Sequence, residues 1–186
     1  MTNVFQRKQK IGIVKKQDIL ENLANYAYLA IGSNLGKKIY NLELTKYKLS
    51  RNGIYIDKAS SFYMTRSWPN PNFPNYINAV FLVKTNLSLF ELFKKIKLIE
   101  KSLGRVKTQK NYPRTCDIDI IDFNGKLFNF FNIDLTVPHP RMEKRNFVLL
   151  PLFEINKSWI HPKTKKNIVN LISNMKSDDI RSIKLI

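Results

Sequence analysis

Apolar and polar positions divide this chain into short, distinct blocks. Tyr26 to Ile31 is an almost continuous apolar run closed by Gly32-Ser33-Asn34, the pattern of a buried strand. Ile39, Leu42, Leu44 and Leu49 recur at imperfect helical spacing, which predicts a helix over about Ile39 to Ser50, ending before the chain-reversing pair Asn52-Gly53. Ile54, Ile56, Ala59 and Ser61 predict a second strand, and Tyr76 to Lys84 a third. Between them, Arg66 to Asn75 is dominated by Asn and Pro and reads as a loop, with Trp68 and Phe73 as candidates for covering something. Leu87, Leu89, Leu92, Phe93, Ile96, Ile99 and Leu103 make the clearest amphipathic helix, starting at Asn86 or Ser88 and stopping at Gly104. After a basic loop, Arg105 to Pro113, the β-branched Ile118, Ile120 and Ile121 predict a strand over Cys116 to Phe123, with Asn124-Gly125 as its closing turn.

The order strand, helix, strand, strand, helix, strand predicts an α+β fold. We expect a ferredoxin-like core (βαββαβ), an antiparallel sheet with helices on one face. A C-terminal helical and loop elaboration follows: loops around Pro138 and Pro140, a helix near Glu143 to Ile155 and a weaker one near Asn167 to Met175. Residues 1–25 are polar and rich in Lys and Gln, so an N-terminal extension that is partly ordered at best is expected there. Residues 26–186 are expected to form a single domain, as the length of 186 residues suggests.

Composition narrows the function classes. Apolar residues make up 44% of the chain, too many for a disordered basic tail. The single cysteine, Cys116, has no partner in the chain, which fits a reducing, cytoplasmic compartment. No apolar run reaches the roughly 18 residues of a membrane span, and the basic N-terminus lacks the pattern of a secretory signal. The formal charge of +18 attracts anions. Yet 24 of the 32 basic residues are Lys, so most are read as solvated surface, with an anionic substrate as a local addition.

The most informative fragment is Pro113-Arg114-Thr115-Cys116-Asp117-Ile118-Asp119-Ile120-Ile121-Asp122, which holds three of the 14 acidic residues. On a strand, Asp117 and Asp119 point the same way, with Cα atoms roughly 6.5 to 7 Å apart. Carboxylates at that spacing repel unless a cation lies between them, and oxygen ligands without a nearby His or Cys cluster suit Mg²⁺ shared with substrate phosphates. The alternative is a half-exposed strand whose two aspartates face solvent or pair with lysines. Asp122 breaks the period and is expected at the strand end, away from any metal.

Arg105, Lys107, Lys110 and Arg114 flank this pair, and Arg141 and Arg145 follow His139, the charge that a nucleotide polyphosphate needs. Scattered surface basics are the competing reading, stronger for Lys110 than for Arg114. Gly32 to Lys37 suggests a phosphate-cradling loop but is one residue short of that spacing, and Lys38 stands where Ser or Thr should be. His139, between two prolines, is either a phosphate contact or structural. His161 is expected at the surface. Cys116 falls on the face opposite the aspartates and is expected to be a small core residue.

The fragment Pro113-Arg114-Thr115-Cys116-Asp117-Ile118-Asp119-Ile120 resembles the P-R-T-L-D-L-D-I signature of the 6-hydroxymethyl-7,8-dihydropterin pyrophosphokinases of folate biosynthesis. Four more colinear pieces carry the resemblance: Ala30 to Gly36, Ser61 to Thr65, Tyr76 to Ala79, and Val137 to Met142 leading to Arg145. It implies Mg-dependent transfer of pyrophosphate from ATP to the pterin hydroxymethyl group, releasing AMP. Asp117 and Asp119 are then implied to hold two Mg²⁺ ions. Arg105 and Arg114 would be catalytic, Arg105 reaching the phosphates and Arg114 contacting both substrates. Lys107, His139, Arg141, Arg145 and, less securely, Glu100 would serve the nucleotide. Thr65, Tyr76, Asn78 and Phe147 would bind the pterin, with Tyr112 as a possible replacement for an aromatic cover. Departures are visible: Lys107 stands where many members carry a second arginine, Asn111-Tyr112 where some have a tryptophan, and a Trp-bearing Pro/Asn loop replaces one with glycine.

Two other classes compete. A basic ferredoxin-like core also suits an RNA-binding module without catalysis, but the aromatic-bearing signature of that fold is missing, and the aspartates would repel phosphate. An inactive interaction protein of the same fold is the third reading. The expected partners are small molecules, with no nucleic acid or membrane, and a monomer is expected, with a homodimer as the alternative.

Overall fold

The computed structural model describes residues 24–106, 112–133 and 135–186. All but the last two residues of the proposed N-terminal extension, together with Lys107 and Lys110, lie outside these.

The run around Ile31 forms strand β1 (Asn25–Ser33), buried along most of its length. Helix α1 (Lys38–Arg51) follows. No side chain caps its N-terminus and no acid stands in its first turn, in line with the weak periodicity of its sequence. Asn52 caps its C-terminus, and Gly53 at φ 74° takes the left-handed turn that favours glycine. Strands β2 (Ile54–Ala59), β3 (Tyr63–Thr65) and β4 (Tyr76–Thr85) come next. Helix α2 (Leu89–Ser102) starts at Ser88, which with Glu91 forms a reciprocal capping box. Strand β5 (Asp117–Phe123) completes the predicted order.

The sheet runs β5-β1-β4-β3 and ends at a short strand over Lys184–Leu185, with β2 also paired to β4. Every pairing is antiparallel. The long β4 serves two neighbours: its first three residues pair with β3 and its last five with β2. Strand β8 (Lys184–Leu185), near the C-terminus, pairs with β3 at the edge.

Helices α1 and α2 cover one face, where Leu29, Ile31, Leu42, Phe81, Leu92, Ile96 and Ile118 are buried in the main core. Cys116 is buried with them, as its place in the strand predicts. The C-terminal part packs on the opposite face. Helix α3 (Asn146–Ile155) and helix α4 (Ile168–Ser173) bring Val148, Leu149, Leu152, Ile168 and Leu171 against Ala30, Val80 and Ile121. The α+β, ferredoxin-like class therefore holds, with a second, partial layer of helices on the face opposite α1 and α2.

Several details differ from expectation. Strand β3, the hairpin of β6 (Phe128–Phe130) and β7 (Leu135–Val137), the short helix α5 (Ser177–Arg181) and β8 carry too few residues to show a period. The expected helix from Glu143 begins instead as a 3₁₀ turn, Met142–Lys144, before α3. Asp122 lies at the end of β5 as expected, but it is buried there. A register shift between Tyr28 and Leu29 pairs it with Tyr28, and its carboxylate accepts bonds from Trp159 Nε1 (2.8 Å) and the Gly125 amide (2.8 Å). His161 is buried, not at the surface. Its Nδ1 accepts from the amides of Lys163 and Thr164, its Nε2 lies 3.4 Å from Glu143, and its ring packs edge-on to Trp159.

Candidate active site

Strand register builds the site. In antiparallel strands, residues directly opposite one another project from the same face. Gly32 pairs with Asp117 of β5 on one side and Asn78 of β4 on the other. One rung further along, Ala30 pairs with Asp119 and Val80. The two aspartates thus emerge together, and the small residues of β1 leave a trough between β5 and β4. The trough is the floor of a cavity of about 1550 Å³, larger than the roughly 300 to 1,000 Å³ typical for one small ligand.

Basic groups meet the carboxylates. Arg105 Nη1 lies 2.6 Å from Asp117 Oδ1, and Arg114 Nη1 3.2 Å from Oδ2. Arg145 Nη1 lies 2.9 Å and His139 Nε2 3.7 Å from Asp119 Oδ2. Burial works against the charge on Asp119, but the facing His139 and Arg145 outweigh it and hold the carboxyl below its ordinary range. Burial also pushes the His139 imidazole down, with Arg145 and Arg141 adding to the effect. Its Nδ1 accepts from the Arg141 amide at 3.2 Å, which turns Nε2 toward Asp119.

Glu100 stands under this cluster, 2% exposed at the end of α2. Its carboxylate accepts from the Ile118 amide (2.8 Å), from Lys97 (3.0 Å) and from Arg105. Burial raises its pKa against the pull of Lys97 and Arg105. It fastens α2 to β5 and aims Arg105 at Asp117.

The other end of the trough presents an amide and aromatic rings. Asn78 is 4% exposed, and its Nδ2 donates to Thr65 Oγ1 at 2.9 Å. Tyr76 and Phe147 line the cavity beside it, and Arg145 packs over the Phe147 ring at 5.4 Å. Burial raises the Tyr76 phenol, opposed by Arg114.

Of the residues singled out from sequence, Thr65, Tyr76, Asn78 and Phe147 share this cavity with Glu100, Arg105, Arg114, Asp117, Asp119, Arg141 and Arg145. His139 reaches it through Asp119. Tyr112 packs against Phe73 with ring centroids 5.5 Å apart, while Trp68 stands 78% exposed at the cavity wall. Lys107 lies outside the described residues.

Other contributors were not visible in the sequence. Lys97 lines the cavity, as do Met175, Asp179 and Ser182 from the C-terminal part. Asn34 is fully buried: its Oδ1 accepts from the Arg114 amide (2.8 Å), and its Nδ2 reaches Ser67 Oγ (3.2 Å) and the Pro74 carbonyl (3.3 Å). It ties the Arg114 side of the site to the base of the Pro/Asn loop. Its signals were its place after Gly32-Ser33, where a turn is the simpler reading, and its membership of the Ala30 to Gly36 piece that carries the resemblance.

Among the described residues, no group of three or more His, Cys, Asp or Glu side chains gathers as a metal cage, and no helix is long and apolar enough to cross a membrane. The arrangement is therefore a pair of carboxylates in a ring of cations at one end and an amide and aromatic rings at the other. It fits a ligand with a polyanionic part and a flat, polar part.

The comparisons with known proteins point the same way. Residues 28–157 match the family described as 7,8-dihydro-6-hydroxymethylpterin-pyrophosphokinase. The chain is 36% identical over 147 residues to the 2-amino-4-hydroxy-6-hydroxymethyldihydropteridine pyrophosphokinase of Synechocystis, covering 78% of this chain and 74% of that protein. Against the Aquifex aeolicus protein of the same description it is 39% identical over 139 residues, covering 75% and 85%. It is also 35% identical over 170 residues to the folic acid synthesis protein fol1 of Pneumocystis carinii, covering 91% of this chain but only 22% of that longer protein. The fold is that of a Plasmodium falciparum HPPK-DHPS crystal structure, with TM-score 0.69 at 17% identity over 88% of this chain and 47% of that one. The match over residues 28–157 and the length of the bacterial relatives covered establish that this chain belongs to the 7,8-dihydro-6-hydroxymethylpterin-pyrophosphokinase family.

Proposed function

We propose that the chain transfers the pyrophosphoryl group of ATP to the hydroxymethyl oxygen of 6-hydroxymethyl-7,8-dihydropterin, releasing AMP. The observation that carries the reading is the rung Asp117–Gly32–Asn78. Two strand spacings separate its ends by about 10 Å, the reach of a bicyclic ring with a one-carbon arm. A pterin edge on Asn78 brings its hydroxymethyl group to the carboxylate end.

Each group then has a task. Asn78 and Thr65 read the amide-rich edge of the ring, while Tyr76 and Phe147 offer aromatic surface to its faces. Arg105 and Arg114 neutralise charge on the transferring phosphoryl oxygens. Arg141, Arg145 and His139 hold the rest of the nucleotide, joined by Lys107, while Tyr112 packs on Phe73 and neither ring lines the cavity. Glu100 acts by positioning Arg105, not by touching the nucleotide. The attacking hydroxyl gives up its proton at the Asp117 end as the bond between the α–β bridging oxygen and the β-phosphorus breaks and AMP departs. Holding both substrates in line is the main contribution to rate, and closing over them keeps water from acting as acceptor.

The donor set fits Mg²⁺. Asp117 and Asp119 supply hard oxygens only, and two carboxylates without further protein ligands suit an ion that completes its shell with water and phosphate. When bound, two Mg²⁺ ions would lower the charge on the triphosphate and make the β-phosphorus more electrophilic. The RNA-binding alternative finds less support. The sheet face such a module would offer carries Asp117 and Asp119 and is partly covered by α3 and α4. A cytoplasmic monomer remains the proposed state.

An assay of AMP release from Mg-ATP, with and without the reduced pterin, tests the reaction. Release should require both pterin and Mg²⁺, and Asp117→Ala should nearly abolish it. Pterin-independent hydrolysis would instead point to a different ATP-using reaction.

A further inference from the structure

Gly32 lies at the centre of the trough, in β1 between Asp117 and Asn78. A Cβ built on it would come within 2.9 Å of Asn78 Oδ1 and 3.4 Å of the Tyr76 ring. The first distance is closer than side chains tolerate, so one partner would have to move. Asn78 has little room to do so. It is buried, and its Nδ2 is held by Thr65 Oγ1 at 2.9 Å, which aims Oδ1 across the face of Gly32. The glycine is not needed for backbone freedom, because it sits in regular strand pairing on both sides. It belongs to the Gly32 to Lys37 segment that resembles a phosphate loop in sequence. In the fold Asn34 of that segment is buried and accepts from the Arg114 amide, and Asn41 donates to the Ser33 hydroxyl and the Leu35 carbonyl.

We propose that Gly32 is a specificity-determining position for the pterin. Its missing side chain keeps the Asn78 carboxamide in its reading orientation. The inference rests on the pterin-transfer reading above and extends it to a residue that carries no functional group. It separates the two substrates: filling the position disturbs the Asn78 end of the trough and leaves the ring of cations around Asp119 untouched.

The test is equilibrium titration of the full chain with 6-hydroxymethyl-7,8-dihydropterin in the presence of a non-hydrolysable Mg-ATP analogue. Nucleotide affinity and thermal unfolding are measured in parallel. Gly32→Ala should weaken pterin binding by at least about tenfold, the effect of one misdirected buried hydrogen bond. Nucleotide affinity should stay within about twofold. In an Asn78→Ala background, adding Gly32→Ala should change pterin affinity by no more than about twofold, because the clashing atom is gone. Should Gly32→Ala alone fail to fold, Gly32→Ala/Asn78→Ser carries the same comparison against Asn78→Ser. Unchanged pterin affinity in Gly32→Ala, equal losses for both substrates, or losses that multiply in the double variant would each overturn the role. A parent chain that binds no reduced pterin would overturn the reaction reading and this inference with it. A parent that binds it and a Gly32→Ala chain that binds it equally well overturn the Gly32 role alone.

Discussion

Two single side chains decide how firmly the charged end of the site is held. The Arg105 guanidinium bridges Glu100 and Asp117 at once through a single nitrogen, Nη1, whereas a lysine would commit its one ammonium to the two carboxylates and keep no further nitrogen for phosphate. Arg105→Lys should therefore lower kcat by about ten- to hundredfold, from weaker stabilisation of the phosphoryl oxygens. Pterin affinity, read at the Asn78 end, should hardly move; steady-state kinetics with each substrate varied in turn separates the two. Asn34 holds the same end from below. Asn34→Ala strips the Arg114 amide of its acceptor and the loop base of its tie, which should cost about 2 kcal/mol. For a chain of this length that is a fall of roughly 5 °C in Tm, measurable by thermal unfolding, with KM rising for both substrates. An unchanged Tm would show that water replaces both bonds.

At the scale of elements, the two helices under the sheet differ in how much of their stability is local. Helix α2 has the complete Ser88–Glu91 box, whereas α1 has no side-chain cap and relies on packing Leu42 and Leu49. Ser88→Ala should thus cost about 1 kcal/mol and lower Tm by about 3 °C. From sequence the start of α2 was narrowed only to Asn86 or Ser88, and the structure selects Ser88; the aspartate pair was legible because it follows from local spacing, two residues along a strand. What was not legible depends on partners far along the chain. Strand β3 has three residues and β8 two, and each exists through pairing with a neighbour. Asn34 reads as a turn residue until Arg114, 80 positions away, lies over it. His161 beside Lys163 reads as surface until Trp159 and Glu143 enclose it.

That enclosure has a pH consequence. Burial pushes the His161 imidazole below its ordinary value, opposed by Glu143 and Asp122. Its Nδ1 is already committed to the Lys163 and Thr164 amides, so protonation there breaks the turn. The unfolded chain takes up this proton near its ordinary value of about 6.5, and the folded chain only at lower pH. The unfolded state thus binds more protons over that window, and stability falls as pH drops through it. His139, also pushed down by burial, adds in the same sense. Urea unfolding at pH 7.5 and 5.5 should show the loss, and His161→Asn should reduce it. An equal loss in that variant would assign the effect elsewhere.

For the whole molecule, the question is what a net charge of +18 does for a reaction with one polyanionic and one neutral substrate. Most lysines among the described residues are exposed, but the cavity gathers its own: Lys97, Lys101 and Lys144 line it with Arg105, Arg114, Arg141 and Arg145. The global field draws a nucleotide toward the molecule, and the local ring holds it. Added salt weakens the first strongly, since the screening length falls from about 10 Å at 0.1 M to about 3 Å at 1 M. The pterin, which carries no charge and is read by an amide and aromatic rings, has no such dependence. Raising monovalent salt from about 0.05 to 0.5 M, a range over which the screening length falls about threefold, should therefore raise KM for Mg-ATP several-fold and leave KM for the pterin nearly constant. Parallel movement of both constants would mean that salt acts on the fold or on loop closure. If neither moved, the nucleotide would owe its binding to the enclosed ring of cations, and the surplus of surface lysine would have no part in the reaction.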